Sequence, residues 1–209
     1  MIRKRSWTIL AGAAALVLAV TPVLAQDEAE PAEPMEATVI EVIGVEYAFD
    51  GLPESVPAGT TLTFSNDGIE LHEIVVNRVA DGVEETFEEL MALNESGVDL
   101  EAEGYIDTDF GDPMLLAMPG QLADGEIKLE QAGRYVALCF IPTGMDPAAL
   151  EEFGVDITTL GPDTDMEELP AEAQAYLEEL MTNAVPHIAQ GMIQEFTVTA
   201  VEGDMEDEA

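Results

Sequence analysis

Gly133-Arg134-Tyr135-Val136-Ala137-Leu138-Cys139-Phe140-Ile141 is a mainly apolar run that opens on glycine and carries the chain's one cysteine. Tyr, Val and Ile suit a pleated, half-buried surface, so the run reads as a strand. Glu126 to Glu130 precedes it, and Gln131-Ala132-Gly133 lies between, so the two segments are expected to form a hairpin. The same signals recur on both sides. Thr38 to Tyr47 reads as a first strand. Thr60 to Ser65 reads as a second, entered from a Val56-Pro57-Ala58-Gly59 turn and closed by Asn66-Asp67-Gly68. Glu70 to Val79 is a third, and Gln194 to Val201 the last. Short strands punctuated by turn residues predict an all-β sandwich. Three segments break the pattern with helical spacing. Glu84 to Asn94 repeats Phe87, Leu90 and Met91. Pro147 to Phe153 is a short candidate. Ala171 to Met181 offers a stripe of Ala175, Leu177 and Leu180 or Met181.

Strand side chains alternate, so His72, Ile74 and Val76 share one face and Leu71, Glu73 and Val75 the other. His72 is thereby aimed at the interior with the branched aliphatics. The chain has two histidines. The second, His187, is followed by Met192 in His187-Ile-Ala-Gln-Gly-Met192. Cys139, His72, His187 and Met192 together make the ligand set of a blue-copper electron-transfer centre. Taken singly, each has a plainer reading: a buried thiol, a hydrogen-bonded core histidine, a packed methionine. Zinc accepts the thiolate and imidazoles, but its structural sites favour more cysteines.

Residues 1–25 read as a secretory signal. Arg3, Lys4 and Arg5 precede an apolar Trp7 to Val20, and Val23-Leu24-Ala25 supplies a cleavage site after Ala25. The alternative is an uncleaved anchor, since Trp7 to Ala25 is long enough to span a bilayer. Either way the chain is expected to be exported, periplasmic or secreted, with no membrane span once the signal is removed. Exported proteins normally pair their cysteines, and Cys139 has no partner in its own chain, which raises the weight of a ligand role. Residues 26–37 read as an acidic disordered linker, 203–209 as an acidic tail, and 38–202 as one domain. The formal net charge is −38. That charge excludes nucleic acid, whose phosphates need clusters of Lys and Arg. It suits a basic protein partner. A monomer is expected.

These segments, in this order, resemble the cupredoxin family of small blue-copper proteins. Val56-Pro-Ala-Gly-Thr-Thr-Leu-Thr-Phe-Ser-Asn66 is similar to the family's strand before the first ligand. His72 with Ile74-Val75-Val76 is similar to the first ligand position. Gly133-Arg-Tyr135-Val-Ala-Leu-Cys139 is similar to the family's Gly-x-Tyr-x-x-x-Cys. His187-x4-Met192 has the family's spacing of second histidine and axial methionine, and Glu195-Phe-Thr-Val198 is similar to its closing strand. The resemblance implies a Greek-key β-sandwich holding one type 1 copper ion, Cu(I)/Cu(II), through His72, Cys139, His187 and Met192. It implies single-electron carriage with a redox protein partner, and an electron exit at His187 as the ligand nearest the surface.

The chain departs from the family twice. Residues 140–186 separate Cys139 from His187 as a partly helical insertion placed to cover or flank the site. Four doublings of loop length cost only ~2.4 kcal/mol in closure entropy. Glu73 stands where the family often has Asn or another hydrogen-bonding residue bracing the ligand loops, and alternation points it away from the ligand face, out of place for that brace. Two other functions compete. Met114, Met118 and Met145 suit a periplasmic copper chaperone or store, and a vestigial site would make a metal-free binding module. Enzyme chemistry is not expected, because both histidines are already used.

Overall fold

The computed structural model describes residues 38–160 and 164–201. The expected signal, linker and acidic tail lie outside the described residues. Among the described residues no helix is long and apolar enough to cross a membrane.

Alternation along the Cys139 run builds the centre of the molecule. Tyr135, Ala137 and Cys139 face one apolar cluster, with Ile74, Val76, Leu62, Phe64 and Phe196. Val136 and Leu138 face a second, smaller one with Val75. The strand is thus buried on both faces, which explains its nearly unbroken apolar character. The elements are β1 (Val39–Val45), β2 (Ala48–Asp50), β3 (Ser55–Pro57), β4 (Thr60–Asn66), β5 (His72–Arg78), β6 (Met114–Ala117), β7 (Ile127–Leu129), β8 (Gly133–Leu138) and β9 (Ile193–Thr199). They form two sheets, ordered β2-β1-β4-β7 and β3-β9-β8-β5-β6. β1 runs parallel to β4 and β3 parallel to β9, and the other pairs are antiparallel. The main cluster lies between the sheets, so the predicted all-β sandwich is the fold.

The expected hairpin across Gln131-Ala132-Gly133 does not form. β7 pairs with β4, whereas β8 pairs with β5 and β9 in the other sheet. The link is a crossing from sheet to sheet. Tyr135 fixes it, its hydroxyl donating to the Gln131 carbonyl at 2.8 Å. Gly133 adopts φ +153°, and a Cβ there would stand 3.0 Å from Nε of Arg78. Arg78 is itself buried, donating to Asp107, to Asp81 at 2.6 Å and to the Ala132 carbonyl at 3.0 Å. The Val56-Pro57 part of the expected turn also pairs, as β3 against β9.

Helix α1 (Phe87–Glu95) forms where predicted, started by a capping box between Thr86 and Glu89. Helix α2 (Pro147–Glu152) starts from an Asp146 cap with proline in its first turn. Helix α3 (Ala171–Asn183) buries Ala173 and Leu177. The stripe is therefore shifted from the expected one: Ala175 is exposed, and Met181 is 76% exposed.

Residues 140–186 leave and return through a short ladder. Thr143 N donates to Val185 O at 3.0 Å, His187 N to Ile141 O at 2.9 Å, and Pro142 faces Pro186 across an isolated bridge. Leu150, Val155, Ile157, Ala173 and Leu177 from this segment join the main apolar cluster. Those five side chains are part of the core.

Candidate metal centre

His72 is the first residue of β5, and Cys139 follows the last residue of β8. His187 opens a 3₁₀ turn (His187–Gln190), and Met192 immediately precedes β9. All four side chains have no exposed surface. The two histidines meet at Nδ1–Nδ1 3.1 Å, and Cys139 Sγ lies 3.5 Å from His187 Nδ1. One donor atom from each of His72, Cys139 and His187 falls within 4.8 Å of the others.

The backbone holds this arrangement. Ile188 N donates to Cys139 O at 2.8 Å, Cys139 N to Met192 O at 3.2 Å, and Met192 N to His187 O at 3.0 Å. Cys139 is thereby tied to both ends of the His187–Met192 loop. Gly191 closes that loop at φ +108°, a conformation that favours glycine. Ahead of His72, Asn66 fixes the approach. Its Nδ2 donates to Glu70 O at 2.8 Å and Ala117 O at 2.9 Å, and its Oδ1 accepts from Gly68 N at 2.8 Å. Gly68 is required by space, since a Cβ there would lie 2.7 Å from Glu46 Oε1 and 2.8 Å from His72 Nε2.

Burial sets the protonation of the donors. His72 is lowered to about 4, first by burial and then by the charge of His187, so its imidazole is neutral at pH 7. Burial pushes the Cys139 thiol up to about 12. A metal held by Cys139 would have to displace that proton, because metals bind cysteine as the thiolate.

Two readings from the sequence need correction. His187 was expected nearest the surface and is fully buried. Its Nε2 lies 2.8 Å from Oε2 of Glu70, and Tyr47 packs edge-on at 5.2 Å between ring centres. Glu73 was expected to point away from the ligand face, out of place to brace the ligand loops. It does point away from the ligand face, yet its Oε1 accepts from Phe140 N at 2.9 Å. The brace on the residue after Cys139 comes from the outer face of β5, and burial raises the Glu73 carboxyl above its ordinary value. Sequence reasoning missed Glu70, Glu46 and the role of Asn66. The Asn66-Asp-Gly68 turn just before His72 was the one signal pointing there. Met118 and Met145 pack against the main cluster and Met114 against the smaller one, as ordinary packing residues do.

No family model matches this chain, and no curated protein does. Solved structures similar to it include reduced auracyanin from Roseiflexus castenholzii, 19% identical over 78% of this chain and 98% of that one, TM-score 0.38. Auracyanin A, a "blue" copper protein from Chloroflexus aurantiacus, is 23% identical over 51% of this chain and 89% of its own, TM-score 0.31. A purple cupredoxin from Nitrosopumilus maritimus is 18% identical over 49% and 85%, TM-score 0.27. With scores this low, the chemistry of the site rests on this chain's own residues.

Proposed function

We propose that this protein is an exported, cupredoxin-like carrier of single electrons with one type 1 copper ion held by His72, Cys139, His187 and Met192. The observation that carries the reading is the convergence of three buried donors from three separate parts of the chain within 4.8 Å. The donor chemistry fits copper. A thiolate and two imidazoles would serve both Cu(I) and Cu(II), and the Met192 thioether would add a weak soft donor. Bound copper supplies a one-electron couple.

The protein's own residues do the rest. Cys139 gives up its proton to become the thiolate ligand, and His72 is already neutral at pH 7. Hydrogen bonds among Cys139, His187 and Met192 hold the backbone against rearrangement when the charge of the centre changes. Four fully buried side chains exclude water from it. The net charge of −38 favours a basic redox partner and repels acidic ones.

The test is reconstitution of the purified protein with Cu(II), followed by visible absorption and electron paramagnetic resonance. An intense thiolate-to-copper band, lost in Cys139→Ser, is expected. A colourless protein that takes up only Cu(I) would replace electron carriage with copper handling. Absence of stoichiometric uptake would defeat both readings.

A further inference from the structure

The group that closes the site over His187 is a carboxylate from the turn before β5. We propose that Glu70 is a positioning residue for His187: it holds the proton on Nε2, leaves Nδ1 as a free donor facing Cys139, and shuts the imidazole edge off from solvent. The proposal rests on the copper reading but concerns contacts within this chain.

Four observations support it. Glu70 Oε2 is 2.8 Å from His187 Nε2. The Glu70 side chain keeps 23% of its surface exposed while the His187 side chain keeps none, so the carboxylate is the lid and the ring lies beneath it. Glu70 is anchored on both sides: Asn66 Nδ2 donates to its carbonyl at 2.8 Å, and Gly144 N, in the insertion, lies 3.4 Å from Oε2 as a donor. Finally, the other ring nitrogen, Nδ1, is the atom 3.5 Å from Cys139 Sγ and 3.1 Å from His72 Nδ1.

The chemistry follows from the ring. A neutral imidazole carries one proton, and a carboxylate accepts but cannot donate. Donation from Nε2 to Glu70 therefore leaves the Nδ1 lone pair pointing at the other donors. The partner of the distal nitrogen selects the ligand tautomer and orients the ring. A negative charge one imidazole away from the metal also favours Cu(II) over Cu(I), which lowers the reduction potential.

Nitrogen–proton correlation spectra of the full-length, metal-free protein test the tautomer without any substitution. The expected result is a His187 proton on Nε2. Copper competition against a chelator then compares the wild-type protein with Glu70→Ala and Glu70→Gln. Glu70→Ala should weaken copper binding about 10–100-fold, and Glu70→Gln, which keeps an acceptor oxygen, should recover most of that loss. Glu70→Gln should also shift the Cu(II)/Cu(I) preference toward Cu(I) by up to about tenfold, equivalent to about 59 mV of potential for one electron. A proton on His187 Nδ1 in the wild-type protein would overturn the proposal. So would two variants with wild-type affinity and potential. If the wild-type protein takes up no copper, the copper reading fails, and the tautomer measurement still decides the role of Glu70.

Discussion

Replacing Glu73 tests whether the strand that carries Cys139 is braced from outside the ligand pocket. Glu73 is 7% exposed, and its Oε1 accepts from Phe140 N at 2.9 Å. Glu73→Ala removes that acceptor from Phe140, a residue 49% exposed, so water replaces part of the bond and the cost is that of an ordinary hydrogen bond, about 0.5–1.5 kcal/mol. For a chain of this size each kcal/mol lowers Tm by about 2–4 °C, so the variant should melt about 1–6 °C below the wild type. Glu73→Gln keeps a carbonyl oxygen in the same place. It also removes a carboxyl whose ionisation burial already disfavours, so it should stay close to the wild type. Thermal unfolding of the metal-free proteins by circular dichroism reads both effects. Because Phe140 follows Cys139, Glu73→Ala should also broaden the resonance of the copper form. Melting of Glu73→Ala within about 1 °C of the wild type, or of Glu73→Gln as low as Glu73→Ala, would refute the brace.

Gly44→Ala should destabilise the protein and disturb His72 together, since a Cβ at Gly44 would lie 2.9 Å from Phe64 Cζ and 3.2 Å from His72 Cβ. Overpacking of this kind costs about 1–3 kcal/mol, and urea unfolding with copper titration on the same variant checks it. The Asp107 carboxyl is held below its ordinary value of 3.8: burial works to raise it, and the hydrogen bond and charge of Arg78 prevail. A lowered folded value means stabilisation that is present above about 3.8 and is lost as pH falls through the folded value. Acid unfolding of the wild type should therefore show a loss below about pH 4 that Asp107→Asn lacks. Excision of residues 144–184 should abolish cooperative unfolding, because it removes Leu150, Val155, Ile157, Ala173 and Leu177 from the core. A melting curve as sharp as that of the full chain would refute this.

The four candidate ligands were legible because each is marked locally. Cys139 follows a mainly apolar strand buried on both faces, His72 begins a strand on its interior side, and His187 and Met192 bracket a single short loop. Copper's preference for sulfur and imidazole turned those four residues into a chemical expectation. The helices were legible from their apolar spacing; the Thr86–Glu89 capping box that starts the first was found in the structure. The exposed Ala175 shows where spacing stops being enough: Leu177 is buried as the spacing predicts, but packing buries Ala173 beside it in place of Ala175.

What the sequence alone determined is the class of fold, the candidate donors and the direction in which His72 points, because alternation and composition are properties of neighbouring residues. What only the tertiary structure decided is everything that joins distant ones. The β7–β8 link crosses between sheets because β7 finds its partner in β4 and β8 finds its partners in β5 and β9. His187 meets Glu70, 117 residues earlier in the chain, through its outer nitrogen. Glu73 braces the Cys139 strand because the two strands are neighbours, whichever way its side chain alternates. Long-range pairing depends on which surfaces meet, and no local pattern encodes that meeting.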